Sequence, residues 1–258
     1  MRDLEMRAAE IADFLGADFD YVKERLESGF HANHALVAKD FTDNNTDVND
    51  DESLLNWYRE TDSYIYELTA YHLDERFNYS GMCDGIVERC IAYGALDVLC
   101  LGDGIGDLTF RLIEAHRRAV YHDLAGGKNA DYAYHVFPHN QILTSSWDPS
   151  STYIRHADDA WGLIGPYPEG FGSEQFDAVV ALDFFEHLVN VEEWAITTYE
   201  CLRYGGGFLA QNAFAIGDAE HGNSIPMHLS VNNKYETEWA TLMQDIGFTD
   251  NVGGWWIK

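Results

Sequence analysis

Residues 95–116 read ALDVLCLGDGIGDLTFRLIEAH, and the fold is decided there. An apolar run (Leu96, Val98, Leu99, Cys100, Leu101) stops abruptly at Gly102-Asp103-Gly104-Ile105-Gly106. Helical spacing follows, with Leu108, Leu112 and Ala115 on one face. A short apolar run, a glycine-rich turn and an amphipathic helix predict the first βα unit of a nucleotide-binding α/β domain. Glycine removes side chains where the chain must turn tightly and lets a ligand approach the backbone. The helix start adds N–H groups that have no partner within the helix. A dinucleotide fingerprint, G-x-G-x-x-G, requires its third glycine at position 107. That position holds Asp107, and the third glycine is Gly106, so the turn is G-x-G-x-G.

Downstream, residues 119–123 (AVYHD) predict a second strand that ends in an acid. Asp123 falls about 20 residues past the first glycine, where Rossmann-type sheets place a ribose-binding carboxylate. Its two oxygens suit the adjacent 2′ and 3′ hydroxyls; the alternative is a cap for the turn that begins at Leu124. Gln141 to Thr144 predicts a third strand. Phe176 to Leu188, FDAVVALDFFEHL, reads as a further strand closed by Asp183, with Glu186-His187 opening the segment after it. Helical period runs from Val191 to Leu202, and Gly205-Gly206-Gly207 reads as its stop. Phe208 to Ala215 predicts the next strand and Lys234 to Ile246 the next helix. A short last strand or a hairpin about Gly253-Gly254 completes the order.

The G-x-G-x-G turn, the acid-tipped second strand and the FD-x-V…E-H stretch stand in an order that resembles the class I, Rossmann-like S-adenosylmethionine-dependent methyltransferases, over roughly residues 95–250. The resemblance implies a doubly wound, mostly parallel α/β sheet, taken here as residues 80–258, with an N-terminal helical cap over 1–79. It implies S-adenosylmethionine as cofactor, held by Gly102, Asp103, Gly104, Gly106, Asp123 and Leu124. Asp148, after the third strand, is placed either on the adenine amino group or in an Asp-Pro turn. Asp183, which closes the strand beside the same crevice, is a further residue expected to hold the cofactor. Asp103 stands where the family often has a small residue, and it faces either the cofactor's ammonium or a turn amide. Family members usually finish with an antiparallel hairpin.

Methyl transfer is a displacement at an activated carbon and obliges no metal; none is assigned from the sequence. An oxygen or carbon acceptor calls for a base, and histidine titrates in the right range. His187 and His228 follow strands at the C-terminal edge, where open α/β sheets bind ligands. His187 is either that base or a shaper of the cofactor's methionine pocket.

Residues 1–94 predict helices, with Gly16 as a break inside Arg7–Leu26. Residues 41–52 (FTDNNTDVNDDE) read as a loop, and helical spacing resumes over Leu54–Leu73 and Met82–Tyr93. The aromatics Trp57, Tyr58, Tyr64, Tyr66 and Tyr71 either pack the cap onto the sheet or line an acceptor pocket. The chain of 258 residues carries 44 Asp+Glu against 16 Lys+Arg, a formal charge of −28. Such a surface repels phosphate backbones, so a small-molecule acceptor is expected and nucleic acid is not. The charge alone also suits a solubility or high-salt adaptation. The four cysteines lack metal-finger spacing, no run of 18 apolar residues occurs, and the start is acidic. A cytoplasmic, membrane-free protein is expected. Two other functions fit less of the chain: a non-catalytic module binding an adenosine ligand or partner, and an NAD-dependent oxidoreductase.

Overall fold

A computed structural model describes residues 3–47, 51–124, 127–136, 173–188, 190–214, 228–250 and 253–258. Five helices come first: α1 (Leu4–Leu15), α2 (Phe19–Glu27), α3 (Phe30–Asp43), α4 (Asp51–Glu60) and α5 (Ser63–Leu73). Local chemistry sets their ends. Asp3 and Asp18 accept the amides of Met6 and Tyr21 at 2.9 and 3.0 Å, and Gly16 closes α1 in the left-handed region. The alternating elements come next: α6 (Tyr79–Ala92), β1 (Asp97–Leu101), α7 (Asp107–Glu114), β2 (Arg118–His122), α8 (Lys128–Val136) and β3 (Phe176–Leu182). The chain closes with α9 (Val191–Cys201), β4 (Leu202–Gln211), α10 (Tyr235–Ile246), β5 (Thr249–Asp250) and β6 (Trp255–Ile257).

Among the described residues the sheet has the order β2-β1-β3-β4-β6-β5. The first four strands are parallel, and β6 runs antiparallel to both β4 and β5. The expected terminal hairpin is therefore present, though short. Alternation along β1 feeds two layers. Val98 and Cys100 join Cys83, Ile86 and Cys90 of α6 and Leu108 and Leu112 of α7 in one buried cluster. Leu99 and Leu101 join Leu54 and Trp57 of α4 and Val191 and Trp194 of α9 in another. Helices on both faces of a mostly parallel sheet make the doubly wound architecture that the sequence implied. A third cluster joins Ala8 and Ile11 of α1, Val22 and Leu26 of α2, and Ile65 and Tyr66 of α5 to Ile105 in the glycine turn. The first helices thus sit directly on the turn.

Asp177, of the FD pair, faces the opposite end of the sheet from the turn. It accepts the amides of Leu96 and Asp97 at 2.8 and 2.9 Å and pairs with Arg203 at 2.6 Å. It is a register pin between β1 and β3. No helix among the described residues is long and apolar enough to cross a membrane.

Four expectations need correction. The loop expected over 41–52 is shorter, because α3 continues to Asp43 and α4 starts at Asp51. Phe41 is buried edge-on against Trp57, so one apolar anchor holds the polar turn in the helix. The helical span 54–73 is two helices, broken where the Thr61 hydroxyl donates to Asp40 and accepts the Ser63 amide. The glycines 205–207 do not end a helix. α9 passes into β4 at Leu202, and the glycines lie in that strand beside a register shift. A Cβ on Gly206 would meet the Arg203 carbonyl oxygen at 2.8 Å, and one on Gly207 would meet the Trp255 ring at 2.8 Å. They are glycines because backbone and a tryptophan pass too close. The strand expected over Phe208–Ala215 instead begins at Leu202 and ends at Gln211. The strand expected over Gln141–Thr144, and Asp148 after it, lie outside the described residues.

Candidate functional site

The C-terminal ends of β1, β2 and β3 bring most of the expected residues to one edge. β1 leads into Gly102, Gly104 and Gly106, all with left-handed φ of +62°, +54° and +80°. The turn is pinned by backbone: the Gly102 amide donates to the His122 carbonyl at 2.8 Å, and the Tyr121 hydroxyl donates to the Gly104 carbonyl at 2.7 Å. A side chain at Gly102 fails twice over, because a Cβ would also lie 2.5 Å from the Phe184 ring. Left-handed geometry alone costs about 1–2 kcal/mol. Gly102→Ala is expected to lower the melting temperature by several degrees, measured by calorimetry; a shift under about 1 °C would show that ring and turn yield freely.

Asp123 sits one residue past β2, half-buried. One carboxylate oxygen accepts the Gly104 amide and the other the Leu124 amide, each at 2.7 Å. Burial pushes its carboxyl up to about 6, against the pull of those two amides. Each oxygen keeps a further acceptor position. The acid after the second strand and the glycine turn are thus one hydrogen-bonded unit, which the sequence placed 19 residues apart.

Asp103 turns inward. It accepts the Thr109 amide at 2.8 Å, the Thr109 hydroxyl at 2.6 Å and the Leu108 amide at 3.4 Å. These bonds tie it to amides at the start of α7. Burial raises its carboxyl to about 7, opposed by the Thr109 bonds. Asp107, which broke the dinucleotide spacing, anchors the cap. Its carboxylate is paired with Arg7 of α1 and accepts from His72 Nδ1 of α5 at 2.6 Å. His72 in turn stacks flat on Tyr79, with ring centroids 3.5 Å apart. Burial alone would raise the Asp107 carboxyl, but Arg7 and His72 outweigh it and hold it well below the usual carboxylate range. A groove of about 710 Å³ runs past this clamp on the outer side of α7, lined by Arg7, His72, Tyr79 and Arg111. It touches neither Asp123 nor the β3 end.

At the β3 end, Asp183 takes φ +49°, uncommon for a residue other than glycine, with its amide donating to the Gln211 carbonyl at 2.7 Å. Solvent reaches Asp183 although protein rings it. That crowding, and then the neighbouring Glu186, raise its carboxyl; burial raises Glu186 as well. A short 3₁₀ turn, Phe185–His187, then presents His187. Its Nδ1 lies 3.1 Å from the Tyr58 hydroxyl of α4, and its ring stands edge-on to His228 at 4.7 Å. His228 Nδ1 donates to the Ala213 carbonyl at 3.0 Å. Burial, then the adjacent His187, push His228 down to about 3, so the ring is neutral near pH 7. The two histidines, expected separately from two strands, meet at one place.

Helices α4 and α5 approach these groups from the N-terminal part of the chain. Tyr58 and Tyr64 lie ring to ring at 5.6 Å, each half-buried, and Leu68 of α5 approaches Gly104 so closely that a Cβ there would lie 2.8 Å from it. Burial raises both tyrosine hydroxyls, so they stay protonated. Trp57 and Tyr66 are core residues, as the packing reading expected, whereas Tyr58 reaches His187. Arg7 and His72 could not be singled out from the sequence. They meet Asp107 across 100 and 35 residues, and no local pattern marks them.

No protein-family model matches the sequence, and no curated protein matches it. Solved structures do resemble the fold. An O-methyltransferase family protein from Burkholderia thailandensis aligns over 96% of this chain and 86% of its own, at 14% identity and a TM-score of 0.50. Human N-acetylserotonin methyltransferase, solved in complex with S-adenosylmethionine, aligns over 91% of this chain and 66% of its own, at 12% identity and a TM-score of 0.48. The first likeness, with the strand order above, shows the class I methyltransferase fold.

Proposed function

We propose that this chain, which has the class I methyltransferase fold, is an S-adenosylmethionine-dependent methyltransferase that acts in the cytoplasm on a small-molecule acceptor. The observation that carries the reading is the bond from the Gly104 amide to Asp123. It holds an acceptor carboxylate against a left-handed glycine turn at the C-terminal edge of the sheet, where such folds bind nucleosides. The residues fit that cofactor: Asp123 retains acceptor positions for two adjacent hydroxyls, and Gly102, Gly104 and Gly106 put no side chain of their own between a ligand and the backbone. Asp107, buried and paired with Arg7 and His72 where a dinucleotide fold needs glycine, argues against the oxidoreductase reading.

In this reading Gly102, Gly104 and Gly106 take the amino-acid half of the cofactor, Asp123 the ribose and Leu124 the adenine side. Asp183 borders the reacting end. Asp103 caps α7 from beneath and holds the turn rather than the ligand. S-adenosylmethionine, when bound, supplies a methyl group already activated on a sulfonium. The protein's remaining work is to position the acceptor and exclude water. Residues 1–79 are the cap that does this: Tyr58, Tyr64 and Leu68 face the strand ends, and His187 and His228 meet the acceptor's polar end. A formal charge of −28 opposes a nucleic-acid acceptor, and four free, buried cysteines suit a reducing compartment.

Calorimetry tests the assignment. Titration with S-adenosylhomocysteine is expected to give saturable heat with one site per chain, and NAD⁺ none. Heat from NAD⁺ alone would reverse it.

A further inference from the structure

Glu186 is the most completely enclosed acid of the candidate site, with 0% of its surface exposed. One of its carboxylate oxygens accepts the Ala213 amide at 2.7 Å; the other, Oε2, is buried with no N–H or hydroxyl donor among the described residues. A buried carboxylate oxygen left in this state carries a large desolvation cost unless a cation or proton reaches it. No lysine or arginine pairs with Glu186 among the described residues. What does approach it are two imidazoles. One donor atom each from Glu186, His187 and His228 lie within 4.8 Å of one another.

From this geometry we infer that Glu186, His187 and His228 form a binding site for one divalent first-row transition-metal ion at the acceptor end of the cleft. Two imidazoles and one carboxylate suit Zn²⁺, Mn²⁺ or Fe²⁺, whereas Mg²⁺ and Ca²⁺ favour all-oxygen shells. Metal bonds near 2.1 Å imply ligand atoms roughly 3.4 Å apart in a tetrahedral shell, so closing the site asks for side-chain adjustments of about an ångström.

The surroundings are those of a built ligand set. The Ala213 peptide holds two of the three ligands at once, its N–H on Glu186 and its carbonyl on His228 Nδ1. That second bond fixes the tautomer and leaves Nε2 as the lone-pair atom of His228, the outer-shell pattern typical of metal-binding histidine. Tyr58 orients His187. The side-chain amide of Asn232, 2% exposed, donates to the carbonyls of Phe185, Glu186 and Leu188 at 3.3, 3.1 and 2.6 Å and clamps the turn that carries two of the ligands. Asp183, beside Glu186 and reached by solvent, stands at the open side.

The ion's use rests on the methyltransferase reading. A Lewis acid between cap and strand ends binds an oxygen of the acceptor, which makes hydroxyl-bearing small molecules the acceptor class. In the metal-loaded protein His187 and His228 are ligands, and neither serves as the base.

The test uses the full chain, stripped with chelator and dialysed. Titration with ZnCl₂ and, separately, MnCl₂ is expected to show one equivalent bound by calorimetry and by elemental analysis, and to raise the melting temperature. His187→Ala and His228→Ala should each weaken that uptake by roughly 100-fold or more, with the thermal shift lost. Should either variant fail to fold, Co²⁺ added to the wild-type chain gives an independent readout: visible absorption of a low-symmetry nitrogen–oxygen site supports the assignment. No uptake, uptake that survives both substitutions, or a Co²⁺ spectrum like that of the aqueous ion would overturn it. S-adenosylhomocysteine binding is measured on the same stripped protein. Nucleoside heat without metal uptake removes the metal site and leaves the transferase reading; metal uptake without nucleoside heat does the reverse.

Discussion

Replacing Asp123 by Ala should weaken S-adenosylhomocysteine binding by about 100- to 1,000-fold, the largest loss expected from any single change at the site. The size derives from two charge-assisted hydrogen bonds, each worth about 1.5–3 kcal/mol, less what water recovers in the variant. The carboxylate has a second task, since it receives the Gly104 and Leu124 amides. Asp123→Asn separates the two. Its remaining carbonyl oxygen still accepts the Gly104 amide and keeps the turn, but an NH₂ group replaces the second acceptor. Intermediate affinity is the expected result, with a melting temperature a few degrees lower because the NH₂ group cannot accept the Leu124 amide. The same residue sets a pH dependence. Burial raises its carboxyl to about 6, so it is largely ionised at pH 7 and largely protonated at pH 5. Wild-type affinity should therefore fall as pH drops from 7 to 5, and the affinity of Asp123→Ala should stay flat. Calorimetry at the two ends of that range decides it. A variant within threefold of wild type would remove Asp123, and with it the main support for a nucleoside in this crevice.

What the sequence made legible is what depends on neighbours in the chain. β3 occupies the span expected from its apolar run, Phe176–Leu182, and α7 carries Leu108 and Leu112 inward as the helical period required. Gly16 ends α1 because a left-handed residue ends helices wherever it stands. The glycines 205–207 show where such reasoning fails. Three glycines after a helix satisfy the rule for a C-terminal stop, yet here Gly205 takes a left-handed φ of +77° within the strand, Gly206 answers to the Arg203 carbonyl and Gly207 to Trp255, some 50 residues away. Close approach by another part of the chain leaves the same mark as a turn. Asp103 illustrates a second limit. Its position in the glycine turn was legible, but the direction of its side chain is set by Thr109, which offers both an amide and a hydroxyl. The Tyr58–His187–His228–Glu186 group is drawn from α4, the 3₁₀ turn and the segment before α10. Each residue was visible alone; only the topology joins them.

The cap's hold on the turn offers the second large effect. Arg7 and Asp107 are a buried ion pair, and Arg7 is only 4% exposed. Removing one partner leaves an unpaired charge in the interior, which typically costs about 3–5 kcal/mol. For a chain of this size that corresponds to a melting temperature lower by roughly 10 °C. Arg7→Met should show the full loss, because it strands Asp107 with His72 as its sole remaining partner. Arg7→Met combined with Asp107→Leu should recover much of it, since apolar replacement of both partners is often nearly neutral. A merely superficial pair would move neither melt by more than about 1 °C. The sign of the pH effect is also fixed. Arg7 and His72 depress the folded Asp107 carboxyl below its ordinary 3.8, so the stability it contributes is present above that value and is lost as pH falls beneath it. Wild type and Arg7→Met should therefore converge in acid below about pH 4 and diverge most near neutrality. Because α1 and α5 lie on Ile105 and Leu68 lies on Gly104, loosening this clamp also uncovers the turn. Faster proteolysis within residues 1–79 of Arg7→Met, slowed again by S-adenosylhomocysteine, would show that the ion pair and the ligand secure the same contact between cap and sheet; equal cleavage of variant and wild type would show that the apolar cluster around Ile11 and Ile105 holds the cap without them.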